Sequence, residues 1–168
     1  AFGGKPMFKS ENGRPFTAAP ATVTHPRGGV MVLAATGKLF EEGDEKLREL
    51  QSAYGLWDAS VLVQKPGGST NAGPGALSGR QLQEWVWQEG QPFDATKLLK
   101  REQSLSQGGS FSQQTDPTKV LDWTQHRGWQ VPLTMMKDKG LRNIVQPQLV
   151  SGQVMFETMT PVLDVDYA

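Results

Sequence analysis

Gly28-Gly29-Val30-Met31-Val32-Leu33-Ala34-Ala35-Thr36-Gly37-Lys38 is the stretch on which the fold class turns. Its apolar core, Val30 to Ala35, is six residues long and sits between glycines, which predicts a strand buried on both faces. Upstream, Pro20-Ala21-Thr22-Val23-Thr24 leads into it through the turn His25-Pro26-Arg27-Gly28-Gly29, so the two segments read as a β-hairpin. Downstream, Leu47, Leu50, Tyr54 and Trp57 recur at helical spacing behind Asp44, a natural helix cap. Tyr54-Gly55-Leu56-Trp57-Asp58 has instead the aromatic and glycine content of a strand or bulge. The expectation is a short helix over 44–51, then extended chain to about Gln64. Ser78-x-x-Gln81 reads as a capping box before Leu82 and allows one or two further helical turns, while the alternation through Val86-Trp87-Gln88 equally allows a strand.

A second hairpin is expected near the far end. Gln148-Leu149-Val150 turns at Ser151-Gly152-Gln153 into Val154-Met155-Phe156-Glu157-Thr158-Met159-Thr160, with Val154, Phe156 and Thr158 on one face. The prolines that open the two hairpins, Pro20 and Pro147, lie 127 residues apart. That separation equals three units of about 42 residues, close to the repeat of a propeller blade. Residues 65–75 and 104–118 are rich in Gly, Ser, Gln and Pro and are expected as exposed loops.

The whole chain of 168 residues fits a single domain or fragment, and it balances 17 basic against 17 acidic side chains. Zero net charge removes the electrostatic case for nucleic acid or an anionic membrane as main partner. No apolar run is long enough to insert in a bilayer. With no cysteine, disulfides, thiolate metal sites and thiol catalysis are excluded together. The first residues, Ala1-Phe2-Gly3-Gly4, suggest a mature or excised piece of a longer protein.

Catalytic motifs fail one by one. Ala35-Thr36-Gly37-Lys38 lacks the first glycine of a phosphate loop, because position 32 is Val, and Leu39 stands where Ser or Thr is needed. Gly67-Gly68-Ser69-Thr70 is followed by Asn71, not the glycine of a nucleophile elbow. His25 and His126 sit beside turn residues and read as surface or turn histidines. Glu41-Glu42-Gly43-Asp44 reads as a solvated acidic turn, and Asp164-Val165-Asp166 offers too few ligands for calcium. No catalytic, metal or cofactor residue is therefore assigned, and no enzyme is expected. Five tryptophans remain. Trp57, Trp123 and Trp129 are assigned to core packing. Trp85 and Trp87, two apart and flanked by Gln and Glu, are the candidate platform for stacking a sugar.

Taken in order, these segments resemble one family. Arg14-Pro15-Phe16-Thr17-Ala18-Ala19-Pro20, the Val30–Lys38 strand ending in Thr36-Gly37-Lys38, and Gln51-Ser52-Ala53-Tyr54-Gly55-Leu56-Trp57-Asp58 come first. Leu121-Asp122-Trp123, Gly128-Trp129 and the closing Phe156-Glu157-Thr158-Met159-Thr160-Pro161 follow. The set is similar to the C-terminal β-propeller region of type IV pilus tip adhesins, the PilY-type pilus-biogenesis factors. The likeness departs at Ala35, where the family usually has Gly, and at Gly140-Leu141-Arg142, where the usual Gly-Glu-Arg loses its acid. The family's regulatory calcium loop and cysteine-containing tail have no counterpart here.

The resemblance implies a mainly β chain with one or two short helices, built as the last blades of a partial propeller. It implies a non-catalytic, extracellular piece of a pilus-associated adhesin that supports pilus assembly and surface attachment. Its partners would be the rest of the parent adhesin, pilus subunits and host or surface glycans, with self-association through open blade faces. Thr36, Gly37, Lys38, Tyr54, Gly55, Trp57, Asp58, Trp123, Trp129, Phe156 and Pro161 carry the family pattern and are expected to act structurally. A carbohydrate-binding module using Trp85 and Trp87 is the alternative.

Overall fold

In the computed structural model, residues 6–58, 98–100, 102–105, 111–114, 120–135 and 137–161 are described. Strand β1 (Ala21–Thr24) and strand β2 (Val30–Ala35) form the expected hairpin, with Thr24 opposite Val30. Two backbone bonds close its turn: the His25 N–H donates to Gly29 at 3.1 Å and the Gly28 N–H to His25 at 2.8 Å. Gly28 and Gly29 have φ of 91° and 75°, a region that costs glycine little and other residues more.

Strand β3 (Ser52–Asp58) pairs antiparallel with β2 along its whole length, placing Ala35 opposite Ala53 and Met31 opposite Trp57. Beyond β3 come β4 (Leu98–Lys100), β5 (Glu102–Leu105), β6 (Phe111–Gln114) and β7 (Gly128–Pro132). The main sheet has the order β1-β2-β3-β7-β4: four antiparallel strands in a row, with β4 running parallel to β7 on the far edge. Strands β5 and β6 form a separate antiparallel pair, as do β8 (Gln148–Val150) and β9 (Gln153–Met155). None of these three sheets closes on itself.

Period-two alternation gives the main sheet two faces. On one, Met31, Leu33 and Trp57 pack with Ala21, Val23, Trp123 and Trp129, and against Val154 and Phe156 from the second hairpin. On the other, Tyr54, Leu56 and Leu98 pack with Val32, Met7 and Phe8. Burying this apolar area is the main force joining the hairpins to the sheet.

Several expectations need correction. Strand β2 alternates between buried Met31, Leu33 and Ala35 and half-buried Val30, Val32 and Ala34, so it is not equally buried on both faces. The helix expected over 44–51 is a single 3-10 turn, Asp44–Lys46. The Asp44 carboxylate is occupied elsewhere, accepting from the backbone N–H groups of Phe40 at 3.0 Å and Glu41 at 2.9 Å. Leu47 then turns outward, 45% exposed. Among the described residues the other helical pieces are also 3-10 turns, at Glu11–Gly13 and Lys137–Lys139. The stretch 104–118, expected as loop, contains β6 and the end of β5. The second hairpin keeps its turn, with Ser151 at φ 49° and Gly152 at 76°, but its ladder stops at Met155. Val154, Phe156 and Thr158 are still the half-buried face, as the alternation predicts. Residues 65–75, the Ser78–Gln81 capping box, Ser69, Trp85, Trp87 and the Asp164–Asp166 pair lie outside the described residues.

Candidate functional site

The Thr36-Gly37-Lys38 segment leaves β2 and becomes the hub of a buried polar knot. Thr36 is fully buried, and its Oγ1 accepts the Ser52 N–H at 2.9 Å while its own N–H donates to the Ser52 carbonyl at 2.9 Å. That hydroxyl is shut off from solvent and fixed in the sheet by Ser52. Gly37 donates to the Pro15 carbonyl at 3.0 Å, and Thr17 Oγ1 donates to the Gly37 carbonyl at 2.7 Å. A Cβ at Gly37 would overlap the Asn143 backbone carbonyl, so the close approach demands glycine.

Lys38 reaches Glu41 and lies 3.4 Å from Asp44 Oδ1. Its partner Glu41 holds the ammonium above its usual range. The Asp44 carboxyl is held below its usual range by the N–H groups of Glu41 and Phe40 and by Lys38. The acidic turn at 41–44 thus spends its central carboxylate on its own backbone. No group of three His, Asp or Glu side chains suited to a metal occurs among the described residues.

Arg142 completes the knot. It is 2% exposed and donates to four backbone carbonyls: Gly140 at 2.9 Å, Lys38 at 2.6 Å, Asp44 at 2.8 Å and Leu47 at 2.7 Å. Its backbone exchanges both hydrogen bonds with Met159, at 2.9 and 2.8 Å. Asn143, fully buried, donates from Nδ2 to the Glu157 carbonyl at 2.6 Å. Together they tie the end of β2, the 41–47 turn and the segment after β9. Neither residue stood out in the sequence beyond the family-like Gly-x-Arg, because each bond to Lys38, Asp44 or Leu47 spans about a hundred residues.

The aromatic motif residues are spent on packing. Tyr54 lies against Phe8 and Phe16 with centroids 4.9 and 5.7 Å away, and burial pushes its phenol above the usual value. Gly55 pairs with Trp129 across β3 and β7, and a Cβ there would overlap the Trp129 indole. The glycine lets that indole lie across the strand, where it meets Phe156 edge-on at 6.1 Å. Trp57 is fully buried; its Nε1 donates to the Gly28 carbonyl at 2.8 Å, and its ring meets Trp123 at 5.6 Å. Asp58 ends β3 and Pro161 is half-buried. Trp57 belongs to one buried core cluster, and half-buried Trp123 and Trp129 pack against it.

His25 departs from the surface reading: it is 3% exposed, stacked on Trp57 at 4.4 Å and edge-on to Trp123 at 4.3 Å. Its proximity to Pro and Gly placed it in a turn correctly, but the two indoles that cover it come from distant segments. His126 Nδ1 lies 3.0 Å from the Asp122 backbone N–H and closes a turn. No nucleophile–base pair forms among these groups. An apolar groove beside the sheet, about 170 Å³, is lined by residues including Met7, Phe8, Phe16, Val32 and Leu56, and its lining is almost entirely apolar.

No family model matches the chain. It is similar to the type IV pilus biogenesis factor PilY1 of Pseudomonas aeruginosa, 27% identical over 169 residues that cover 96% of this chain and 14% of that protein. It is also similar to the PilY1 homolog of Xylella fastidiosa, 24% identical over 97% of this chain and 10% of that protein. The chain therefore spans about a tenth to a seventh of the length of these relatives. Among solved structures, the crystal structure of the Pseudomonas aeruginosa PilY1 C-terminal domain superposes with a TM-score of 0.62 at 23% identity, covering 96% of this chain and 33% of that one. That likeness is one of fold.

Proposed function

Because the chain is homologous to the type IV pilus biogenesis factor PilY1 and shares the fold of its C-terminal domain, we propose that it is a non-catalytic part of a PilY-type pilus factor. It forms the last blades of a C-terminal β-propeller and acts at the cell surface in pilus assembly and attachment. The observation that carries this reading is the likeness over 96% of the chain. The structure supports it in two ways. Four antiparallel strands in a row, β1-β2-β3-β7, are the unit from which a propeller blade is made. The bonds of Thr36 with Ser52 and of Trp57 with Gly28, and the close approach of Gly37 to Asn143, favour a structural role for those three residues of the family pattern.

No helix of the described residues is long and apolar enough to cross a membrane. The partners in this reading are the remaining blades of the parent protein and the pilus subunits. The sugar-stacking alternative rested on Trp85 and Trp87, which lie outside the described residues, and nothing else favours it.

The test is an in-frame deletion of these residues from the parent gene, with sheared surface pili quantified and attachment to an abiotic surface measured. Pilus loss, restored by the intact gene, is expected. Wild-type piliation and attachment in a strain lacking the parent protein altogether would overturn the reading.

A further inference from the structure

The β1–β2 turn contains a titratable ring that is buried between two indoles. The His25 imidazole is covered by Trp57 on one side and by Trp123 at its edge. Its Nδ1 accepts the Arg27 N–H at 3.2 Å, which puts the proton of the neutral ring on Nε2. That Nε2 is buried and has no hydrogen-bond partner. The backbone of the same residue makes both bonds that close the turn, and the turn's Gly28 carbonyl accepts the Trp57 indole N–H at 2.8 Å. One ring therefore touches the turn, the central strand and the 122–126 turn at once.

Protonation changes each of these contacts. Nδ1 becomes a donor, so the bond from the Arg27 N–H is lost and two N–H groups face each other. A cation is placed in an apolar box with no carboxylate bonded to it. The charged and titratable groups around the box are Arg27 on the same turn, Asp58 next to Trp57 in β3, Arg127, whose carbonyl accepts the Trp57 backbone N–H at 2.8 Å, and Asp122 and His126 in the turn that carries Trp123. The Asp122 carboxylate is engaged by Thr124 and Gln125. Attraction of an imidazolium to the Trp57 face opposes these losses, at about 0.5–2 kcal/mol. Burial, with the Arg27 charge added, outweighs it, and the ring's pKa falls to about 4.

We propose that His25 is an acid-released latch: protonating its ring opens the β1–β2 turn and frees the Trp57 and Trp123 indoles while the rest of the sheet stays paired. The inference rests on the turn's own geometry and is independent of the pilus assignment.

The experiment is a titration from pH 7.5 to 3.5, following tryptophan emission and near-UV circular dichroism for the tertiary contacts and far-UV dichroism for the sheet. The wild-type chain, His25→Phe and His126→Gln are compared. A reversible one-proton change in emission is expected between pH 6.5 and 4, ahead of any far-UV change, absent in His25→Phe and kept in His126→Gln. The same transition in His25→Phe, or emission that moves only together with the far-UV signal, would overturn the proposal. If His25→Phe does not fold, NMR of the histidine ring protons in the wild-type chain decides. A His25 midpoint below 6, in step with loss of the protected Arg27 amide, supports the latch; a midpoint at or above 6.5 or an unmoved Arg27 amide refutes it.

Discussion

Replacing Arg142 by Met removes the clasp between the end of β2, the 41–47 turn and the segment before the second hairpin. Methionine keeps much of the side-chain length and supplies no donor. Four carbonyls lose their guanidinium partner; the bonds to Lys38 and Leu47 are partly buried, those to Gly140 and Asp44 fully so. Water can reach the first two. The Gly140 carbonyl stays dry and unsatisfied, at about 1–3 kcal/mol, and the Asp44 carbonyl keeps the Leu47 N–H at 3.2 Å but loses a charge-assisted bond worth about 1.5–3 kcal/mol, a gross loss of about 2.5–6 kcal/mol. No longer burying a cation offsets part of this, leaving a net destabilisation of about 3 kcal/mol. Urea unfolding followed by tryptophan emission reports it directly, since Trp57, Trp123 and Trp129 share the core that opens. In a chain of this size the midpoint of thermal unfolding falls by roughly 6–12 °C. Arg142→Lys restores the charge but not the planar fork of donors, so it recovers less than half of the loss. Stability within 0.5 kcal/mol of wild type for Arg142→Met, or full recovery with Lys, would refute the reasoning.

Gly55→Val drives a side chain into the Trp129 indole, and a loss of about 1–3 kcal/mol with a changed near-UV dichroism spectrum is expected. Gly37→Ala meets backbone at Asn143 instead of a movable ring, so it destabilises more than Gly55→Ala in the same urea assay. The folded-state pKa of His25, about 4 against 6.5 unfolded, is lowered. Its contribution to stability is therefore complete above pH 6.5, falls by about 1.4 kcal/mol per pH unit down to 4, and is flat below. Urea midpoints at pH 7 and 4.5 should differ by less in His25→Phe than in wild type. Among the described residues strands β8 and β9 pair only with each other, and Val150, Met155 and Met159 are exposed there. Light scattering behind a sizing column should give an oligomer of the isolated chain that Met155→Lys weakens.

The sequence disclosed what is local. Six apolar residues between glycines made β2, Gly28 and Gly29 made its turn, and Ser151-Gly152 made the second turn. It misled where a local signal met a competing bond: Asp44 looked like a helix cap, but the N–H groups of Phe40 and Glu41 reach its carboxylate first. It was silent where a residue's role depends on partners far along the chain. His25 is buried by indoles 32 and 98 positions away, and nothing next to it in sequence signals that. Gly55 looked like a possible bulge, and only the register with Trp129 shows why it is a glycine. The family likeness was legible because it rests on an ordered set of short segments, and order survives where each segment alone is too brief to be distinctive.

The partner of β3 on its far side, β7, begins only at Gly128, while β3 ends at Asp58. During synthesis at about 5–20 residues per second, the edge that carries Tyr54 and Trp57 therefore waits roughly 4–14 s for its neighbour. An apolar strand edge left open that long is where a nascent chain is most exposed to pairing with the wrong partner. The thermodynamic cost of the long connection is small by comparison, since doubling such a segment adds about 0.6 kcal/mol. Length changes between β3 and β7 should thus alter yield and misassembly during biosynthesis well before they alter the stability of the finished fold.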